Sequence, residues 1–185
     1  SFVRVASAVP LLKVADCKYN VEQTGLLIQE AADKGVQIIC FPEMGITGYT
    51  CGDLFHQKLL INQAEEALGG LVAKTSDLHI LTIVGMPVRV KNRLMNTAVA
   101  FQNGQILAVI PKTWLPNYGE FYEKRWFSSA MEVMSDKVSI CGKTVPFGTN
   151  ILLKNGDVCI GIEICEDLWM PVPPSSYHAL NGANL

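Results

Sequence analysis

A chain of 185 residues with 49% hydrophobic and 17% charged residues is long enough to bury a sizeable core and too apolar for a disordered chain. Its net charge of −2 offers no basic footprint for nucleic acid. No apolar run approaches the roughly 20 residues of a membrane span, and the opening "SFVRVASAVP" lacks the basic head and long apolar stretch of a signal peptide.

In chain order, "FVRVASAV" (residues 2–9) reads as a first strand. Asn20 is placed to cap a helix running to about Lys34, where Gly35 stops it. Leu26, Leu27, Glu30, Ala31 and Lys34 read as the split faces of a surface helix. "VQIICF" (36–41) is a short continuous apolar run, which suits a strand buried on both faces. A second helix is predicted over 56–74 and a third strand, "HILTIVGMPV", over 79–88. This βαβαβ order favours stacked α/β layers.

The pattern then changes. Apolar runs flank Asn103-Gly104 and again Asn155-Gly156. Asn-Gly tolerates the positive φ of tight hairpin turns, so two antiparallel hairpins are predicted within a mixed sheet. Between them "TWLPNYGEFYEKRWFSS" (113–129) has aromatics, proline and glycine but no clean period, and reads as an ordered loop carrying function. "MPVPPSSYH" (170–178) reads as a proline-rich loop that includes His178. The final "ALNGANL" stops where another strand is expected, so the domain is expected to be incomplete.

The six cysteines form no C-x-x-C pair, and His56, His79 and His178 show no ligand spacing. Reduced thiols in a cytoplasmic protein without a metal are the simplest expectation.

Three reactive side chains follow apolar strands: Glu43 after "VQIICFP", Lys112 after "ILAVIP" and Cys165 after "CIGIEI". Strand ends in stacked α/β folds face a shared crevice, where residues distant in sequence can meet. Taken singly, the acid and the lysine are ordinary solvated charges and the cysteine ordinary core. Taken together they answer a chemical need. A cysteine attacks as thiolate, so it needs a base to take its proton and a cation to favour the anion. No G-x-S-x-G supports a serine–histidine alternative.

"FPEMGITGY", "PKTWLPNYGEFYEKRWF" and "GIEICEDLW", in this order, resemble the three signature segments of the nitrilase (carbon–nitrogen hydrolase) superfamily. The resemblance spans the chain from Glu43 to Trp169 and implies an α-β-β-α sandwich with mixed sheets, truncated at its C-terminus. It implies Glu43 as general base, Lys112 as charge stabiliser, Cys165 as nucleophile and Glu123 as a further acid that positions lysine and substrate. The text "CEDLW" with "PNYGEFYEKRWF" is similar to the N-terminal glutaminase domains of glutamine-dependent NAD⁺ synthetases. That likeness implies glutamine as substrate, and a synthetase domain of the parent chain as the partner taking up ammonia. ATP, Mg²⁺ and deamido-NAD would belong to that domain; its pyrophosphate loop is not in this sequence, and no cofactor is expected here. Homo-oligomers are expected from the superfamily.

Tyr49, Tyr118 and Glu166 are the candidates for holding substrate, with packing and a solvated charge as their plain alternatives. Trp126 and Trp169 read as core or interface anchors. Glu163, inside the last strand, needs a partner if buried. The other five cysteines read as structural, with Cys51 close enough to the site to compete in thiol labelling. A stand-alone amidase or carbamoyl-amide hydrolase of the same superfamily, and a non-catalytic binding or scaffolding module, are the competing functions.

Overall fold

The computed structural model describes residues 2–185. Five strands, β1 (Val5–Ser7), β2 (Ile38–Cys40), β3 (Leu81–Val90), β4 (Arg93–Gln102) and β5 (Gln105–Pro111), lie side by side in sequence order. The first two pairings are parallel and the next two antiparallel, so the sheet is mixed. Helices α1 (Cys17–Asp33) and α2 (Lys58–Lys74) supply the parallel crossovers and cover one face. Ile28, Leu68 and Leu71 from these helices share a core with Ile39, Val84, Met86, Val99 and Phe101 of the sheet. Each such buried side chain contributes about 1.5–3 kcal/mol of transfer free energy.

The opposite face carries a second core. Ile38, Ile83, Ala98 and Ile110 meet Ile160, Ile162 and Ile164. These three isoleucines belong to β9 (Val158–Gly161), which pairs with β8 (Leu152–Asn155), and to the extended segment after it. Because side chains alternate along extended chain, Gly161 points away from that core, onto α3 (Pro174–Leu180). A β-carbon on Gly161 would lie 2.5 Å from His178 Nδ1, so only glycine admits the helix here. The layers therefore run α-β-β-α, the last two being small. Residues 184 and 185 hydrogen-bond to β9 at Cys159 and Gly161.

Several local expectations are corrected. The N-cap of α1 is Asp16, whose carboxylate accepts from Tyr19 N at 3.1 Å. Asn20 lies inside the helix, fully buried, and donates to the carbonyls of Lys13 and Ile46. His56 falls in a short 3₁₀ turn (Gly52–His56) before α2. Asn103 and Gly104 form the expected turn, with φ of 51° and 71°. In the other hairpin Asn155 pairs with Val158, so the turn is one residue later, at Gly156 and Asp157, and the hairpin stands as its own sheet. Two further hairpins carry no Asn-Gly signal: β3–β4, turning at Lys91 and Asn92, and β6 (Lys137–Ile140) with β7 (Lys143–Pro146), turning at Cys141 and Gly142. The first lacks glycine, and the second hides its signal behind a cysteine at φ 49°.

The proline-rich stretch is not all loop. Pro174 is the first residue of α3, where a missing N–H costs nothing. His178 is buried in that helix and its Nε2 meets Thr149 O at 2.8 Å. Glu163 lies beyond β9, and its carboxylate accepts from Ser175 N at 2.9 Å in the first turn of α3. Trp169 is 73% exposed and so is not a core anchor in this structure. Trp126 packs on Phe55 and donates from its indole to Asp53. All six cysteines are free thiols, and no helix among the described residues is long and apolar enough to cross a membrane.

Candidate active site

Glu43, Lys112 and Cys165 leave strands that are not neighbours, yet Glu43 and Lys112 touch. The chain after β2 makes this possible. It turns at Pro42, Glu43 and Met44 and crosses over β3, with Phe41 N bonded to Ile83 O and Ile46 N to Gly85 O. Met44 takes a left-handed φ of 54° to complete the turn. The crossing lies directly on Gly85, where a β-carbon would be 2.4 Å from Met44 N and 2.7 Å from Pro42 O. Glu43 is thereby delivered over β3 to β4 and to the end of β5.

Lys112 is the first residue past β5 and is fully buried. Its ammonium sits 2.7 Å from Glu43 Oε1 and 2.8 Å from Glu123 Oε1. Burial works against the charged lysine, but Glu43 and Glu123 together outweigh it and raise its pKa. Glu123, from a 3₁₀ turn (Glu123–Arg125) in the aromatic loop, is 1% exposed. Burial pushes its carboxyl up, against the pull of Lys112 and of the Tyr49 hydroxyl, which donates to Glu123 Oε1 at 2.6 Å. Tyr49 is itself held neutral by burial and by that carboxylate.

Cys165 opens a 3₁₀ turn (Cys165–Trp169) at φ 49°, a left-handed conformation that costs a non-glycine residue about 1–2 kcal/mol. The turn ends the extended segment that follows β9 and leaves the thiol exposed in the crevice. Burial of its surroundings and then the negative field of Glu43 raise the thiol, while Lys112 lowers it. The sulfur thus lies in the opposing fields of a carboxylate and a lysine, with burial and Glu43 favouring the thiol and Lys112 the thiolate. A cavity of about 120 Å³ adjoins it, lined by Cys165, Glu43, Gly85, Thr97, Ile162 and Cys40. Cys40, expected to be structural, thus lies closer to the chemistry than Cys51, which is buried with its thiol on Thr47 O.

Two residues that sequence reasoning missed complete the cluster. Asn96, inside β4, donates from Nδ2 to Glu43 Oε1 at 2.5 Å and more weakly to Glu123 Oε2 at 3.4 Å. Asp167, two residues past Cys165 and 2% exposed, accepts from Trp114 N at 2.7 Å, Thr113 N at 3.1 Å and Ile164 N at 3.4 Å. It ties the exit of β5, next to Lys112, to the turn that carries the thiol. Burial pushes its carboxyl up to about 6, against those three amides. The run of acids after Cys165 was its one visible sign.

The proposed substrate contacts fall into a row. Tyr49 meets Phe121 edge-on at 6.4 Å, and Phe121 meets Tyr118 at 6.1 Å. The Tyr118 hydroxyl donates to Glu166, 2.9 Å from Oε2. This row runs from buried Glu123 out to Glu166, while Tyr49 itself belongs more to the buried cluster than to an open pocket wall. Trp126 and Arg125 hold the same loop by bonding Asp53.

A thiol, a carboxylate and a lysine buried between two carboxylates thus gather around one crevice. Residues 3–185 match the family model described as carbon-nitrogen hydrolase, and the chain belongs to that family. It is 36% identical to the glutamine-dependent NAD(+) synthetase of Mycobacterium tuberculosis over 187 residues, covering all of this chain and 27% of that protein. The human glutamine-dependent NAD(+) synthetase is 32% identical over 179 residues, 92% of this chain and 25% of its own length. The chain thus spans about a quarter of the curated relatives it matches.

Among solved structures, the glutamine-dependent NAD(+) synthetase of Cytophaga hutchinsonii superposes with a TM-score of 0.82 at 31% identity, over 90% of this chain and 28% of that one. An amidase from Nesterenkonia sp. superposes at 0.73 and 20% identity, over 98% and 62%, which speaks for the fold alone. The fold is the nitrilase-type α-β-β-α sandwich.

Proposed function

We propose that this domain hydrolyses the side-chain amide of glutamine and supplies the ammonia to glutamine-dependent NAD⁺ synthesis. The observation that carries the reading is Lys112, fully buried between Glu43 and Glu123 at 2.7 and 2.8 Å, with Glu43 and the Cys165 thiol lining one cavity. A buried ammonium with two carboxylates costs desolvation that packing alone would not require.

In the proposed reaction Cys165 Sγ attacks the amide carbon while Glu43 takes the thiol proton. The oxyanion is met by the Lys112 ammonium and the main-chain N–H after Cys165. Glu43 returns the proton to the departing amine, and ammonia leaves a thioester. Water then attacks the thioester as Glu43 accepts its proton, releasing glutamate and restoring the thiol. Glu123 anchors the lysine. Glu166, oriented by Tyr118 at the open end of the row, pairs with the substrate's α-ammonium.

We place no metal or organic cofactor in this domain. ATP, Mg²⁺ and deamido-NAD are assigned to a separate synthetase domain as the partner that consumes the ammonia. Residues 1–185 are read as one hydrolase unit. A cytoplasmic setting fits the free thiols. Self-association fits the exposed apolar side chains of Leu168, Trp169, Val172, Tyr177 and Leu180.

The test measures NAD formation from deamido-NAD and ATP in the full protein that carries this sequence, with glutamine or ammonium as nitrogen source. Cys165→Ala should lose the glutamine-driven reaction and keep the ammonium-driven one. NAD formation from glutamine at the wild-type rate in that variant removes the mechanism. Absence of NAD from either source in the wild type sends the assignment to another amide, sought with short aliphatic amides.

A further inference from the structure

We infer that Asn96 is a positioning residue that fixes which oxygen of Glu43 acts as the base. The inference rests on the reading of Glu43 as base to Cys165, and deepens it.

The backbone of Asn96 is held by the sheet. Its carbonyl accepts from Lys112 N at 2.8 Å, so the two residues are locked across β4 and β5. The side chain is 1% exposed, and its Nδ2 donates to both carboxylates of the cluster. Its Oδ1 is buried and has no hydrogen-bond partner among the described residues. The two carboxylates decide the orientation of the amide. Turning it over would gain no bond at the unpartnered position and would press a carbonyl oxygen against both of them.

One carboxamide orientation then leaves one use for each oxygen of Glu43. Oε1 receives Asn96 Nδ2 at 2.5 Å and Lys112 Nζ at 2.7 Å, which fills its capacity. Oε2 is the oxygen left for the thiol proton. On Glu123, Oε1 is filled by Tyr49 and Lys112, and Oε2 receives only the long contact from Asn96. The charged and titratable groups around Glu43 are thus Lys112, Glu123, Tyr49 and Cys165, and Asn96 is the neutral donor among them. A donor to a carboxylate favours its ionised form. Asn96 therefore aims the base and shares with Lys112 the task of holding Glu43, and its loss removes one donor from that carboxylate.

The experiment compares wild type, Asn96→Ala and Asn96→Asp in the full protein that carries this sequence. It reads glutamine hydrolysis as kcat and KM across pH, thermal melting, and the pH dependence of iodoacetamide alkylation at Cys165, followed on the Cys165 peptide by mass spectrometry. For Asn96→Ala the expected result is a kcat lower by about 10–100-fold, the scale of a hydrogen bond to a charged group, with KM within about 3-fold. The acid limb of kcat/KM and of Cys165 alkylation should move together to higher pH. Asn96→Asp, equal in shape but without a donor when ionised, should lose more, and serves alone should the alanine variant not fold.

Folded variants whose limbs superimpose on the wild type overturn the inference, as does a kcat loss that merely follows the fraction of folded protein. Wild-type Cys165 alkylation that Glu43→Gln leaves unchanged instead overturns the base assignment beneath it. The alkylation arm reads the thiol directly, so a wild type that does not hydrolyse glutamine fails the substrate reading and leaves Asn96 to be decided on the limb.

Discussion

Glu43 and Gly85 are separated by less than a side chain: a β-carbon on Gly85 would stand 2.8 Å from Glu43 Cα. The neighbouring contacts, 2.4 Å to Met44 N and 2.7 Å to Pro42 O, are to main chain, which has no rotamer to yield. The candidate base is therefore in place because one strand residue lacks a side chain.

Gly85→Ala should lift the crossing off β3. Overpacking of this kind costs about 1–3 kcal/mol. Activity should fall by more than the unfolded fraction explains, because Glu43 loses its reach to Lys112 Nζ. Thermal melting and hydrolysis measured on the same preparation check this; full activity in a destabilised Gly85→Ala would count against the arrangement.

Lys112→Met should abolish turnover and also destabilise the fold, by about 3–5 kcal/mol, because it leaves buried carboxylates without their cation. The sign with pH follows from the protonation states. Lys112 has a raised pKa, so its contribution is complete below the ordinary lysine range and persists at neutral pH. In the variant, Glu123, whose carboxyl burial already pushes up, can relieve its repulsion with Glu43 by taking up a proton. The melting difference from wild type should be smaller at pH 5 than at pH 8.

Asp167 gives a second pH signature. Its folded-state value of about 6 lies above the ordinary 3.8, so between those values the folded chain binds the proton more tightly than the unfolded chain. Its share of stability is therefore present at low pH and lost as pH rises through that window. Asp167→Asn should flatten this slope in denaturant titrations. It should also lower kcat at neutral pH, since it weakens the tie between Trp114 N and the Cys165 turn.

Glu166→Gln should raise the KM for glutamine by about 10-fold or more, the cost of losing one charge-assisted contact, with a smaller change in kcat. Short amides lacking an α-ammonium should be indifferent to the change. An unchanged KM for glutamine would release Glu166 and Tyr118 from the substrate role.

The three residues most legible in the sequence were those at strand ends, because an apolar run that stops on a charge or thiol is visible without any fold. Glu123 came only through the family resemblance: in "FYEKRWF" nothing local distinguishes it from the solvated Glu120. Asn96 stayed hidden for the opposite reason. In "LMNTAVAF" a polar residue amid apolar ones looks like ordinary strand alternation, and its meaning depends on carboxylates 53 and 27 residues away in the chain. Asp167 stands in the quoted "GIEICEDLW" with nothing local to set it apart from Glu166, since its main partners are main-chain amides of a different loop. The α3 helix was lost because proline is a breaker in the middle of a helix and a starter at its first turn, and only the fold says which.

The stretch from Ile160 to Cys165 has a consequence of parity. Ile160, Ile162 and Ile164 are sunk in the core between the sheets, whereas Gly161 faces His178, Glu163 holds Ser175 N and Cys165 faces the crevice. Odd positions deal with the outer helix and the chemistry, even positions with the interior. One residue inserted or deleted between 160 and 165 would exchange the two sets, bury the thiol and expose an isoleucine in its place. Two residues would restore the sidedness but displace the sulfur along the strand by about 7 Å, well beyond the reach of Glu43. The distance from the core to the nucleophile in this protein is thus fixed in number as well as in kind, whereas the turn at Gly156 and Asp157, outside that count, can change length without moving the sulfur.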